Sequence, residues 1–439
     1  MAKTPPGLII AAPSSGSGKT LITLGLLRHF ARSGVAIGSA KVGPDYIDPS
    51  FHTAATGRPC FNLDLWAMRR ETILHNLSAV SDGAGLVIAE GVMGLFDGAA
   101  DGRGSTADLA ALTGWPVVLV VDARSQGASA AALVRGFATH RADLKLAGVI
   151  FNKVGTNKHR QIIADAMASA LPEITVLGFI PRIADMEIPS RHLGLVQARE
   201  KTGLNGFIDT AAALIAQHID CSALQALAKP AALDTAASTP FPPPGQRIAV
   251  ADDIAFAFAY PHILEGWRRA GAEILPFSPL AGDAPSPDAD AVYLPGGYPE
   301  LHAGTLSGNA RFLSGLQDAA SAAKPVIGEC GGYMVLGNGL IDADGDRYAM
   351  AGLLPVETSF ADRKLHLGYR RAITLCDSPF GPAGEQIAAH EFHYATTVSE
   401  GPGEKLFDTR DAAGSATGPT GLRAGSVAGS FLHLIDSAA

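Results

Sequence analysis

Short apolar runs alternate with longer stretches of helical period along most of this chain, and that alternation constrains its fold more than any other feature. The runs at residues 8–12, 86–89, 117–121, 148–151, 176–180, 248–251, 291–294 and 325–328 are each bounded by Gly, Pro or Asp, as buried strands are. Residues 20–32, 122–140 and 261–270 between them can be read as helices. Strand and helix in turn predict an α/β fold, with parallel sheets covered by helices on both faces. One segment breaks the pattern. Residues 229–246 are rich in Pro, Ala, Ser and Thr and end in a triple proline, the composition of a semi-extended linker. It divides the chain into domains of residues 1–228 and 247–439.

The 439 residues carry a net charge of −8 and no basic block, which disfavours nucleic acid and anionic membrane surfaces as partners. The longest strongly apolar run, residues 115–121, falls far short of the roughly 20 residues of a membrane helix. The apolar stretch at 8–12 is too short for a secretory signal, so a cytoplasmic protein is expected. Cys60, Cys221, Cys330 and Cys376 lie far apart, so the pattern suggests neither a disulfide framework nor a zinc knuckle.

Pro13-Ser-Ser-Gly16-Ser-Gly18-Lys19-Thr20 departs from the phosphate-loop pattern G-x-x-x-x-G-K-[ST] only in its first residue. Gly16 and Gly18 let backbone N–H groups approach phosphate oxygens, Lys19 reaches the β- and γ-phosphates, and the Thr20 hydroxyl is placed to face Mg²⁺. Carboxylates for the metal are expected where strands end. Glu90 follows the run at 86–89, and Asp45, Tyr46 and Asp48 lie in Lys41-Val-Gly-Pro-Asp45-Tyr46-Ile-Asp48-Pro. Asp97 follows Glu90 in the same loop; Asp45, Asp48 and Asp97 can equally cap turns beside Pro and Gly. Asn152, after the run at 148–151, is a candidate for a base edge or for an ordinary turn, and Arg182 is a weaker candidate for ATP or substrate.

In the second half, Gly328-Glu329-Cys330-Gly331-Gly332 follows a buried run and opens a helix, the shape of a nucleophile elbow. A helix N-terminus there is expected to lower the thiol pKa. His433, late in the domain, is the chosen base; His390 and His393 are expected to act behind it, on the substrate side, or only as hydrogen-bonding residues. The Gly296-Gly297 loop offers backbone N–H groups for an oxyanion, with Gly297 named for that role.

With these motifs, and with Arg363-Lys-Leu-His366-Leu-Gly-Tyr-Arg370, His390-Glu-Phe-His393-Tyr and Gly429-Ser-Phe-Leu-His433, the chain resembles the cobyrinic acid a,c-diamide synthase family over nearly its whole length. The resemblance implies a dethiobiotin-synthetase-like ATP domain joined to a class I glutamine amidotransferase domain. It implies amidation of the a and c acetate groups of a corrin ring with ATP, Mg²⁺ and glutamine, by a homodimer. The metal-free ring, hydrogenobyrinic acid, is the expected substrate, and the cobalt-containing cyclic acid is the rival. Cys330 and His433 would be catalytic, Gly297 would hold the oxyanion, and Asp45, Tyr46 and Asp97 would lie near the substrate carboxylate. Gly16, Gly18, Lys19, Thr20 and Asn152 would bind ATP, and Thr20, Asp48 and Glu90 would face the metal. Many class I amidotransferases have a Glu two residues after the histidine; Ile435 stands there, so a less well oriented base is expected. A partitioning-type ATPase, the alternative from another class, would lack any use for Cys330.

Overall fold

The computed structural model describes residues 5–183, 190–191, 194–195, 197–231 and 239–438. They divide into two compact units. The first takes in residues 1–66 and 73–238 and the second residues 67–72 and 239–439.

In the first unit seven parallel strands form one sheet in the order β3-β2-β4-β1-β5-β6-β7. They are β1 (Pro6–Ala11), β2 (Ile37–Val42), β3 (Phe61–Leu63), β4 (Leu86–Glu90), β5 (Val117–Asp122), β6 (Leu146–Val154) and β7 (Thr175–Pro181). Leu8, Ile9 and Ile10 of β1 are fully buried, as a central strand of Leu and Ile should be. The helix Lys19–Arg32 packs against the helices Leu204–His218 and Asp48–Thr56. The stretch at 122–140 is helical only over Ser129–Thr139; Asp122 ends β5, and residues 123–128 form the turn between strand and helix. After β3 the chain returns to lay β4 beside β1 and then continues on β1's other side, which makes this region the switch point of a doubly wound sheet. Lys229 and Pro230, the first residues of the segment expected to be a linker, pair antiparallel with β1; residues 232–238 of that segment lie outside the described residues.

The second unit departs from the all-parallel expectation. Its ten-stranded sheet runs β9-β8-β10-β11-β16-β15-β14-β12-β13-β17, from β8 (Arg247–Ala251), β9 (Glu273–Phe277), β10 (Ala291–Leu294), β11 (Val326–Glu329), β12 (His366–Thr374), β13 (Gln386–His393), β14 (Glu404–Asp411), β15 (Ala416–Ala424), β16 (Val427–Ser430) and β17 (Leu432–Ser437). Only the pairs among β9, β8, β10, β11 and β16 are parallel; the rest are antiparallel. The apolar-run criterion missed β12, β14 and β15 because they are half exposed and mix polar with apolar residues. Phe431 alone separates β16, in the middle of the sheet, from β17 at its far edge. The antiparallel half must therefore curl back, and it carries His433 toward β11. Among the described residues no helix is long and apolar enough to cross a membrane.

Candidate active sites

The first unit's candidate residues gather at the carboxyl ends of its strands, around a cleft of about 510 Å³. That volume is in the range of small-molecule sites. Gly18 caps the helix Lys19–Arg32 at φ 95°, and a Cβ there would stand 2.3 Å from Asn152 Nδ2, so conformation and space both require glycine. Asn152 Nδ2 donates to the Ser17 carbonyl at 2.9 Å, and its Oδ1 accepts from the Lys153 N–H at 2.9 Å. The amide considered for a base edge lines the cleft and ties β6 to the phosphate loop. Lys153 adds a second tie, from Nζ to the Gly16 carbonyl at 3.2 Å and to Asp122 at 3.0 Å. Arg182 is exposed, with its backbone N–H on the Val154 carbonyl.

Behind the loop lies a buried ionic group. Thr20 Oγ1 donates to Glu90 Oε1 at 2.7 Å, and Lys41 Nζ donates to Glu90 Oε1 at 3.0 Å and to Asp48 Oδ2 at 2.5 Å. Burial by itself would raise the Glu90 pKa, but Lys41 and a hydrogen bond from His52 outweigh it and hold the group well below the usual carboxylate range. Asp48 is pushed up to about 6 by burial and by Asp45, against the pull of Lys41. Lys41, in the sequence only the first residue of a motif, is the counter-charge of this group. The available signal is its position near the end of a strand buried along its whole length, where a lysine needs anionic partners. Lys19 Nζ donates to the Met93 carbonyl at 2.5 Å; burial lowers its pKa to about 8, against the pull of Glu90.

The three residues expected near a substrate carboxylate are placed differently from one another. Asp45 lines the cleft, and its Oδ1 also accepts the N–H groups of Ile47 and Asp48 at 2.8 and 3.0 Å, capping the turn into the helix Asp48–Thr56. Tyr46 is buried and is not part of the cleft wall. Asp97 accepts the Gly94 N–H at 2.8 Å and lies near enough to Lys19 to raise its basicity.

In the second unit Cys330 follows β11 at φ 47°, a strained conformation for a non-glycine residue and the mark of an elbow. Its N–H donates to the Ser430 carbonyl at 2.8 Å. A Cβ on Gly296 would stand 3.1 Å from His433 Nε2 and 3.2 Å from Cys330 Cβ, so the thiol and the imidazole border one small space. The Gly297 amide nitrogen lies 3.0 Å from where a Cβ on Gly331 would be, which sets two backbone N–H groups beside the elbow. Gly331 was not singled out as a donor, although the residue after an elbow nucleophile commonly is one.

The electrostatics correct one expectation. Burial, then the charge of Glu300, pushes the Cys330 thiol up; the hydrogen bond from the Gly331 N–H at the helix start lowers it, but by less. His433 is fully buried and lowered to about 3 by burial and by its neighbours His390 and His393, while the Phe258 backbone works the other way. The pair is therefore a neutral thiol beside a neutral imidazole. His390 sits opposite His433 in register across β13 and β17. His393 stacks on Phe431 at 3.9 Å and bonds Glu391 at 3.0 Å, and Arg370 holds the other oxygen of Glu391 at 2.7 Å.

Two family models match the chain: a CobQ/CobB/MinD/ParA nucleotide binding domain over residues 8–196 and a CobB/CobQ-like glutamine amidotransferase domain over residues 247–439. The relatives reach further. A hydrogenobyrinate a,c-diamide synthase from Sinorhizobium sp is 56% identical over 438 residues, covering 98% of this chain and 99% of that protein. The chain belongs to the hydrogenobyrinate a,c-diamide synthase family. Members named in the same way from Rhizobium meliloti and Rhodobacter capsulatus are 56% and 52% identical, again over nearly the full length of both chains. Membership accounts for the two sites on one chain, a nucleotide-binding cleft and a Cys–His pair in a glutamine amidotransferase domain.

Proposed function

We propose that this enzyme converts the a and c acetate carboxylates of hydrogenobyrinate to carboxamides, using glutamine as nitrogen donor and ATP to activate each carboxylate. The observation that carries the reading is 56% identity across 98% of the chain to a protein of that name. In the second unit Cys330 Sγ attacks the glutamine carboxamide carbon. His433 takes the thiol proton and returns it to the departing ammonia; water then releases glutamate from the thioester. The N–H groups of Gly297 and Gly331 face the oxyanion. Because both partners start neutral, proton transfer accompanies attack.

In the first unit a substrate carboxylate oxygen attacks the γ-phosphorus, ADP departs, and ammonia displaces phosphate from the acyl phosphate to leave the amide. Gly16, Gly18 and Lys19 bind the phosphates, and anionic phosphate beside Lys19 favours its charged form. The donor set fits Mg²⁺. Thr20, Asp48 and Glu90 offer hard oxygen donors of the kind Mg²⁺ takes, and the two carboxylates, which also hold the Lys41 ammonium, support that reading by their convergence. Bound there, the ion would offset charge on the transferring phosphoryl group. Asp45 is the candidate nearest the substrate carboxylate, since it lines the cleft. We further assign the enzyme to the cytoplasm as a homodimer; four free cysteines suit a reducing compartment.

Incubation with ATP, Mg²⁺, glutamine and either the metal-free or the cobalt-containing ring, followed by mass spectrometry, tests the assignment. Two amidations of the metal-free ring are expected. Cys330→Ala should lose activity with glutamine and keep it with ammonia. Preference for the cobalt ring overturns the substrate, and amidation of neither ring overturns the activity.

A further inference from the structure

The helix Asp48–Thr56 places Asp48 and His52 four residues apart, hence on one face. Asp48 meets Lys41, and His52 Nε2 meets Glu90 Oε2 at 2.8 Å. The Glu90 carboxylate is fully buried and its partners divide cleanly: Thr20 and Lys41 share Oε1, while His52 is on Oε2. On the far side of the ring, Cys60 Sγ lies 3.5 Å from His52 Nδ1, and both residues are fully buried. A chain of contacts thus runs from Cys60 through His52 and Glu90 to the Thr20 hydroxyl at the phosphate loop. The phosphate-loop chemistry described above makes no use of the two residues at its buried end.

We propose that His52 is a positioning residue of the ATP site: its ring holds Glu90 by Oε2 so that Oε1 is presented to Thr20 and to the cation, and Cys60 holds the ring. The inference rests on reading the cleft as a Mg²⁺-ATP site. Without His52, Oε2 would be a buried oxygen with no donor, and the carboxylate would be free to turn about its last bond toward another partner. Cys60 contributes by fixing the ring's orientation, as partners of functional histidines commonly do.

Calorimetric titration of the full chain with ATP, once in EDTA and once with Mg²⁺, separates the possibilities. Wild-type affinity is expected to tighten with Mg²⁺; if it does not, the reading of the cleft fails whatever His52 does. His52→Ala should bind ATP in EDTA within twofold of wild type and lose at least tenfold of the Mg²⁺-dependent tightening. His52→Gln, whose amide N–H can still reach Oε2, should recover most of that loss. Cys60→Ala should lose about threefold with Mg²⁺ and nothing in EDTA. Full tightening in His52→Ala overturns the proposal, and so does an equal loss of affinity in EDTA and in Mg²⁺ for His52→Ala and His52→Gln, the signature of a merely structural residue. If His52→Ala does not fold, His52→Gln and Cys60→Ala decide: wild-type behaviour of Cys60→Ala in both titrations overturns it.

Discussion

A methyl group at position 296 would enter the space between thiol and imidazole, only 2.3 Å from His433 Cε1. Gly296→Ala is therefore expected to lower glutamine-dependent turnover at least about 100-fold, near 2.7 kcal/mol of barrier, and to spare turnover driven by ammonia. Equal loss with both nitrogen sources would refute the steric argument. Lys41 stands at the opposite extreme, an ammonium that neutralises two buried carboxylates. Lys41→Met leaves them without a counter-charge and is expected to cost about 3–5 kcal/mol, read as a lowered urea midpoint, together with loss of amidation. At this scale Cys330, Lys19, Thr20 and Glu90 were legible because each stands in a local pattern tied to a turn. The pairing of Lys41 with Asp48 and Glu90 was not, since the partners lie 7 and 49 residues away and only the sheet brings them together.

Elements decide where those side chains point. In the first unit β1, β2, β4, β5 and β6 end on the same side, so the phosphate loop, Lys41, Glu90, Asp122 and Asn152 become neighbours by topology. In the second unit Glu329, the residue before the nucleophile, accepts from the Tyr293 hydroxyl at 3.0 Å and from the Leu434 N–H, linking β11 to β17. Burial raises its pKa from 4.5 to about 8, against these hydrogen bonds. The folded state thus prefers the neutral acid. That contribution is fully present below about pH 4.5 and is lost as pH rises toward 8, because the unfolded chain releases its proton first. Glu329→Gln removes the dependence, so its melting temperature should gain on that of the wild type between pH 5 and 8. A gap that stays constant with pH would contradict this. Alternation identified β1, β4, β5, β6 and β7 of the first unit and β8, β10 and β11 of the second, but not the parallel strands β2, β3, β9 and β16 or the antiparallel half of the second sheet. A strand with one solvated face has no continuous apolar run to announce it.

For the whole chain, the two units do not follow one simple cut. Residues 67–72 belong to the second unit, where the Arg69 N–H donates to Asp436 Oδ2 at 2.9 Å and its guanidinium grips Oδ1 at 2.7 and 3.1 Å. Asp436 is buried, so Asp436→Ala should lower stability by about 2 kcal/mol, and an unchanged urea midpoint would show the pair to be worth nothing. No local signal marks residues 67–72, because a tie across more than 360 positions leaves no trace in a short window. The sequence alone determined the α/β class, the phosphate loop, the elbow cysteine and the family resemblance, all of which reside in short-range patterns of size, polarity and glycine. Only the tertiary structure decided which groups share a charge, that the thiol and imidazole rest neutral, and that His52 and Cys60 stand behind Glu90. Those properties depend on burial and on distances between residues far apart in the chain, and both arise only when the sheets close.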